Sequence, residues 1–209
     1  MRGYDGEKRG HVDKVAQRFR PTHVAIPFLY RDFPNLRRAR WRIRSPYDDA
    51  YQCIAWAAWY TDRLAWPHQD YWWFHGSMLF QGMAEEVTPD YFIAGFAKLG
   101  YKPCTGRRFQ FGFQKVAIYA NDTGVTHMAR QRFFWWGWLS KLGAWEDIYH
   151  AKLEDVEGEM SATANQYGKV VQILKRSWWS AIKYGCIPRA IGITRAMWEY
   201  RRTHKWQDP

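Results

Sequence analysis

Residues 113–135 read FQKVAIYANDTGVTHMARQRFFW, and in this stretch two β-forming runs flank a tight turn. The first run, 113–120, is rich in aromatic and β-branched residues and ends at NDTG, a typical turn sequence. The second run, 125–135, begins directly after the turn, and GWLSKLG at 137–143 follows it. Two short connections predict an antiparallel meander, which forms the centre of the expected sheet.

Helices are predicted before this meander. Asp48 or Asp49 is suited to cap a short helix that carries Cys53 and continues to about residue 60. A second helix is indicated by Thr88 and Pro89 at its start and Gly100 at its end. YGKVVQILKR at 167–176 predicts a last strand, whereas 145–158 reads as a loop with a short helix. The expected fold is α+β, with the cysteine-bearing helix packed on a small antiparallel sheet.

The composition is that of a folded chain with one core. Its 209 residues are 47% hydrophobic and 19% aromatic, far from the composition of disordered proteins. Neither a signal peptide nor a run of about 18 apolar residues is evident, so we expect a cytoplasmic protein without a transmembrane segment. The three cysteines include no CxxC pair, which argues against a disulfide framework and a zinc site. We therefore predict no metal and no cofactor.

The positive charge lies at the two ends of the chain. Residues 1–46 hold 12 Lys and Arg against 4 Asp and Glu, residues 47–174 hold 11 against 14, and residues 175–209 hold 8 against 2. These segments carry +8, −3 and +6 in turn. We predict a basic extended arm over 1–46, a globular domain over 47–175 and a basic aromatic helical extension over 176–209.

The basic ends suggest an anionic partner. Prolines make the arm extended, with a short strand expected at 41–43, and its arginines are grouped at Arg37, Arg38, Arg40, Arg42 and Arg44. These arginines are predicted either to contact a polyanion, such as nucleic acid or an acidic protein, or to form a solvated segment that wraps the domain.

Cys53 is the candidate nucleophile, because a helix start and a nearby imidazole both favour the reactive thiolate. His127 is the candidate general base, and Gln52 is positioned to donate to an oxyanion. A third group is needed to orient the imidazole, and the candidates are Asp147, His150 and Ser140. Asp147 is preferred because a carboxylate orients and charges an imidazole best. The alternative is that Cys53 is a small core residue.

Two further features are compatible with ligand binding. Arg130 and Gln131 are candidate substrate anchors, since arginine offers a bidentate fork to carboxylate or phosphate, although a surface salt bridge explains them equally well. The aromatic sequence WWGW at 135–138 is suited to line a groove or to fill the core.

Several motifs together carry a resemblance to known proteins. AYQCIAWA, FIAGFAKLGYKPC, KVAIYA, THMARQ, WLSKLG and EDIYH occur in this order. The set resembles an uncharacterised bacterial domain family with Y-x-C-I-A-W-A, T-H-x-A-R-Q and W-x-S-K-L-G segments, over about 47–175. More distantly, the order of cysteine, strand and histidine is similar to papain-like cysteine hydrolases, including NlpC-like peptidases. The NlpC-like pattern differs in that the histidine lies at the head of the VAIY-type strand.

The resemblance implies a papain-like fold and a bacterial or phage cysteine hydrolase. Such an enzyme would act on an amide, thioester or isopeptide bond of a peptide or amide substrate, with a Cys53–His127 dyad or triad. The alternative is a non-catalytic binding protein of the same fold, whose basic ends contact nucleic acid or an acidic protein. A toxin or an anti-defence factor is a biological role that suits either mechanism.

Overall fold

A long β-hairpin is the centre of the fold. The computed structural model describes residues 26–45, 51–60, 87–132, 136–143, 145–158 and 167–183, and the side chains from residue 29 onward. Strands Phe113–Asn121 (β3) and Gly124–Gln131 (β4) pair antiparallel across the predicted turn. In this turn the Asn121 side-chain oxygen accepts hydrogen bonds from the Thr123 backbone N–H (2.9 Å) and hydroxyl (2.6 Å). The turn chemistry therefore fixes the hairpin as the sequence predicts.

The hairpin belongs to a seven-stranded sheet in which all neighbouring strands run antiparallel. The other strands are Trp41–Ile43 (β1), Lys102–Cys104 (β2), Trp138–Lys141 (β5), Asp147–His150 (β6) and Lys169–Ser177 (β7). Their order across the sheet is β1, β6, β5, β4, β3, β7, β2. The predicted meander and last strand are confirmed.

Four short helices accompany the sheet in the described residues: Ile26–Asp32 (α1), Cys53–Ala57 (α2), Pro89–Ala97 (α3) and Trp178–Lys183 (α4). Two 3-10 turns, Pro34–Arg38 and Leu153–Val156, complete them. Helix α3 begins as predicted, with the Thr88 side chain accepting from the Tyr91 backbone N–H. No helix in these ranges is both long and apolar enough to cross a bilayer.

The two faces of the sheet support separate apolar clusters. Face 1, which includes Val116, Ile118 and Met128, packs against α2 and α3. Face 2, which includes Ala117 and Tyr119, packs against α1 and both 3-10 turns; its cluster includes Leu29, Phe33, Leu36, Leu153 and Val156. Because side chains alternate along a strand, neighbouring residues of β4 project to opposite faces. This alternation determines which candidate residues can meet.

The predicted papain-like fold is wrong. The structure is dominated by a large antiparallel sheet, and the cysteine-bearing helix has only five residues. Helix α2 stops early because Ala58 leaves the helical conformation and Trp59 adopts a left-handed one, with φ of 71°. The segment 147–150, expected to be a loop, is strand β6 and links β5 to the edge strand β1.

The described part of the predicted basic arm belongs to this fold. Strand β1 occupies Trp41–Ile43, where a short strand was expected, and it pairs with β6. Helix α1 and the turn Pro34–Arg38 cover face 2. The remainder of the arm, 1–25, and most of the predicted C-terminal extension, 184–209, lie outside the described residues.

Candidate functional site

Cys53 begins helix α2 and lies in the apolar cluster of face 1. Only 5% of its surface is exposed, and burial raises the pKa of its thiol to about 11. The Met128 backbone and the charge of Lys141 favour the thiolate but do not offset burial. Gln52, the candidate oxyanion donor, is half-buried at the N-cap, and its side chain makes no capping hydrogen bond. The thiol is therefore protonated at neutral pH.

His127 lies on the opposite face of the sheet. It is fully buried on face 2, where its ring stacks on Tyr167 with centroids 3.9 Å apart and an interplanar angle of 6°. Its Nε2 lies 3.0 Å from Ser140 Oγ, and the same hydroxyl lies 2.9 Å from His150 Nε2. His127, Ser140 and His150 thus form one buried relay, and Cys53 is not part of it.

The hydrogen bond at the His150 end of this relay determines where its protons lie. His150 Nδ1 lies 2.6 Å from the Lys152 carbonyl oxygen, so Nδ1 carries a proton and donates it. In a neutral ring His150 Nε2 is then an acceptor, and the Ser140 hydroxyl donates to it. The Ser140 oxygen in turn accepts from His127 Nε2–H. Burial lowers the pKa of His150 to about 4 and that of His127 well below 6.5, so both rings are neutral.

Asp147, the preferred third group, lies on face 1 and contacts neither histidine. The Tyr51 hydroxyl donates to its Oδ2 over 3.1 Å, and Ser45 Oγ accepts from its backbone N–H over 3.0 Å. Burial raises the pKa of this carboxyl to about 6, although Lys141 and Arg130 nearby favour the charged form. The predicted catalytic set is therefore divided between the two faces.

Arg130, a candidate substrate anchor, has a structural position. It is 3% exposed, and its guanidinium carbon lies 3.3 Å from the Trp56 ring centroid and 3.8 Å from that of Trp59. Its Nη1 also donates to the Trp56 carbonyl oxygen over 3.0 Å. A cation at this position satisfies a carbonyl at the end of helix α2. The geometry assigns Arg130 to packing against that helix.

Gln131, the second anchor candidate, lines a cleft on face 2. The cleft has a volume of about 280 Å³ and lies where β4 and β6 end and β5 begins. Its walls are Arg107, Arg108, Phe109, Gln131, Trp136, Gly137, Trp138, Ala151, Lys152, Leu153 and Glu154. Aromatic rings and cationic side chains therefore share one concave surface, which we call the cationic cleft.

The loop that carries Arg107 and Arg108 is held from below by two buried side chains. Lys115 Nζ donates to the carbonyl oxygens of Gly106 (2.7 Å) and Arg108 (2.6 Å). Gln131 Nε2 donates to the carbonyl oxygen of Arg107 over 3.1 Å. Three consecutive carbonyls therefore accept from the protein interior, while both arginine side chains remain exposed at the surface.

A basic segment is attached to one wall of the cleft. Asn35 Nδ2 donates to the carbonyl oxygens of Glu154 and Glu157, which attaches the segment 34–40 to one wall. Three of the five predicted arginines, Arg37, Arg38 and Arg40, are exposed on this segment. The other two are half-buried on and after β1: Arg42 lies 5.6 Å from the Tyr149 ring centroid, and the Arg44 backbone N–H donates to the Asp147 carbonyl oxygen.

Within the cleft the charge is predominantly positive. Lys152, Arg107 and Arg108 line it with a single carboxylate, Glu154, which forms an ion pair with Arg107. Of the residues that line the cleft, only Gln131 and the aromatic stretch 135–138 are recognisable from the sequence as ligand candidates. The arginine doublet in TGRRFQFG, a loop flanked by glycines, is the feature that would have indicated the rest. Among the described residues, no three of His, Cys, Asp and Glu are placed to bind a metal.

Comparison with known proteins identifies the family of the chain. Neither the curated proteins nor the solved structures contain a significant match to the chain. The sequence profile of a family described as a domain of unknown function (DUF7689) matches residues 42–175, so the chain belongs to that family.

Proposed function

We propose that this protein binds nucleic acid through the cationic cleft and the arginines beside it, without a catalytic step. The observation that carries the proposal is the loop of Arg107 and Arg108, whose carbonyls are held by the buried Lys115 and Gln131 beside the exposed ring of Trp136. An arginine pair on a fixed backbone, next to an exposed aromatic ring, suits a ligand with both phosphates and bases.

The chemistry of the surface favours phosphate as the charged group. A guanidinium presents several N–H donors in a plane and binds phosphate oxygens in pairs. Arg108 lines the cleft, and Arg37, Arg38 and Arg40 lie on the segment that Asn35 attaches to its wall. All four side chains are exposed. With a net charge of +11 the whole chain also attracts polyanions over long range.

The fixed loop reduces the cost of binding. Burial of the Lys115 ammonium costs free energy through desolvation, and its two hydrogen bonds to backbone carbonyls must offset that cost. An ordinary surface loop does not require such a contact. Burial indeed lowers the pKa of Lys115 from its ordinary value. A loop ordered in advance loses less conformational entropy when a ligand binds.

The predicted cysteine hydrolase has less support from the geometry. A Cys–His mechanism requires the imidazole within hydrogen-bond reach of the thiol, and here the two side chains lie on opposite faces of the sheet. The buried thiol also has a raised pKa. For the binding function, by contrast, the required groups already lie on one surface.

The test is titration of labelled oligonucleotides by fluorescence anisotropy between about 50 and 300 mM salt, the range where phosphate contacts dominate. Affinity should fall steeply with salt. In the variant Arg107→Ala/Arg108→Ala the slope of log K against log salt should become shallower by at least about 1, the share of one phosphate contact, because Arg107 already forms an ion pair with Glu154.

A charge-matched control is Lys102→Ala/Lys169→Ala, which removes two exposed lysines that do not line the cleft. This control should keep most of the affinity. Binding that the arginine variant and the control weaken equally, or no salt-dependent binding at all, would overturn the proposal. Stronger binding to polyglutamate than to any oligonucleotide would indicate an acidic protein partner instead, and would also overturn it.

A further inference from the structure

We infer that the cationic cleft accepts one unpaired base, so that the protein prefers single-stranded to duplex nucleic acid, with Gln131 as a specificity-determining residue. The inference rests on the proposed function and concerns the same surface. It depends on three properties of the cleft: its aromatic walls, its size and an amide oxygen that has no donor among the described residues.

The aromatic walls provide a stacking surface. Trp136 is 67% exposed at the rim, Phe109 is half-buried, and Trp138 is 4% exposed on face 2. A tryptophan so exposed gains little from folding, whereas its ring face is an effective surface for a base. Gly137, between the two tryptophans, has φ of 97°, and a Cβ there would lie 2.4 Å from the Tyr149 ring. The glycine therefore allows the backbone turn that separates the two indoles.

The size of the cleft limits what enters it. At about 280 Å³ it is at the small end of ligand sites, which usually span about 300 to 1,000 Å³. One planar group fits such a volume, and a stacked pair of strands does not. A base inside a duplex would first have to leave its stack, at a cost that an unpaired base does not incur.

Gln131 adds selectivity for the base. Because its Nε2 donates to the Arg107 carbonyl oxygen, the orientation of the amide is determined, and Oε1 is the atom left over. This oxygen is buried and has no donor among the described residues, although the residue is only 6% exposed. A buried acceptor without a donor favours a ligand that brings an N–H group. The exocyclic amino groups of adenine and cytosine are such donors.

The experiment compares one oligonucleotide as a single strand and as a duplex, at the same salt concentration, with the full chain. We expect tighter binding to the single strand, and Trp136→Ala should weaken that binding about tenfold, as loss of one stacked base does, with little effect on the duplex. Trp179→Ala is the matched control, because Trp179 is 82% exposed and does not line the cleft.

A second measurement tests Gln131 through base preference rather than overall affinity. Oligo-dA and oligo-dC should bind more tightly than oligo-dT, and Gln131→Met should abolish this difference. A merely structural role for Gln131 would lower all three affinities together and leave their ratios unchanged, which would overturn its assignment.

The outcomes distinguish the inference from the proposal on which it rests. Salt-dependent binding with equal affinity for single strand and duplex, or no change in Trp136→Ala, would overturn the inference and leave nucleic-acid binding intact. Absence of salt-dependent binding to either form would overturn both. A circular dichroism spectrum and unfolding midpoint like those of the native chain would show that each variant is folded.

Discussion

The environment of Cys53 is determined by a single position in strand β4. Met128 projects to face 1, where its backbone lies against the thiol, while His127 projects to face 2 and stacks on Tyr167. Because consecutive residues of a strand alternate between faces, a histidine one position later would have pointed toward the cysteine. The two residue types required for cysteine chemistry are therefore present but separated by the sheet.

This separation predicts slow alkylation of Cys53. A pKa raised from 9.0 to about 11 lowers the thiolate fraction at neutral pH about 100-fold. In the native protein at a pH of about 7.5, iodoacetamide should modify Cys53 at least about tenfold more slowly than the half-buried Cys104, since the thiolate is the reactive form. Mass spectrometry of the separate cysteine peptides provides the measurement.

Denaturant is the control for this labelling, since unfolding should bring the two rates close together. Rapid modification of native Cys53 that slows in His127→Ala would contradict the geometry. It would support the cysteine hydrolase instead.

Gly168 allows the backbone before β7 to lie close to the hairpin. It has φ of 74°, exchanges backbone hydrogen bonds with Gly158, and precedes Lys169–Ser177. A Cβ at this position would lie 2.1 Å from the Ala120 carbonyl oxygen, which belongs to the backbone of β3 and has little freedom to move. Tyr167, which covers His127, immediately precedes it.

Substitution of this glycine should therefore be unusually costly. Gly168→Ala adds a backbone clash to the cost of the left-handed conformation, and we expect a loss of at least about 3 kcal/mol of unfolding free energy. Gly143→Ala is the matched control, because Gly143 also has positive φ (60°) but open space around its Cβ position. It should lose only about 1 kcal/mol, the conformational cost alone. Urea unfolding measures both, and equal losses would refute the argument.

The elements also show how far the sequence predicts this fold. The hairpin, β1 and helix α3 follow from local features: alternation around NDTG, a short β-forming run, and Thr-Pro at a helix start. Strand β6, Asp147–His150, lies in a charge-rich stretch of sequence that favours a loop, and it becomes a strand through its pairing with β5 and β1. Helix α2 ends at Ala57, and Trp59 then takes a left-handed conformation against Arg130, a tertiary contact that no periodicity reveals.

The candidate site was harder to predict because it combines distant segments. Trp136 and Gln131 were recognised as ligand candidates, yet only the structure shows that they share a cleft. Arg107 joins them because Lys115, buried in another strand, holds the preceding loop. A tertiary contact of this kind produces no recognisable pattern of residue spacing in the sequence. Whether Cys53 and His127 can meet does not follow from the sequence either, because the face of a strand residue depends on register, and the β3–β4 register shifts at Tyr119 and Ala120.

In the molecule as a whole, buried titratable groups on the two faces of the sheet have opposite effects on how stability depends on pH. On face 2, the pKa of His150 is lowered from 6.5 to about 4 by burial. Between these values the unfolded chain binds more protons than the native protein, so stability falls as the pH falls. The full loss from His150 is about 3 kcal/mol. His127 contributes in the same direction.

Asp147 on face 1 contributes with the opposite sign. Burial raises the pKa of its carboxyl from 3.8 to about 6, so between these values the native protein binds more protons than the unfolded chain. Stability from this group therefore rises as the pH falls from about 6 toward 4, by about 3 kcal/mol in full. This gain offsets the loss from His150, and the contribution of His127 remains unbalanced.

Substitution of Asp147 or His150 should reveal their opposing contributions to the pH dependence of stability. Between about pH 6.5 and pH 4, Asp147→Asn should lose about 2 kcal/mol more unfolding free energy than the native chain, because the amide cannot take up a proton. His150→Gln should lose less than the native chain over the same interval, for the converse reason. Urea unfolding at several pH values across this interval provides the measurement, and comparison of each variant with itself across pH removes any loss caused by the substitution alone. If the three proteins change in parallel with pH, the buried carboxyl and imidazole do not have the shifted pKa values that their positions on the two faces imply.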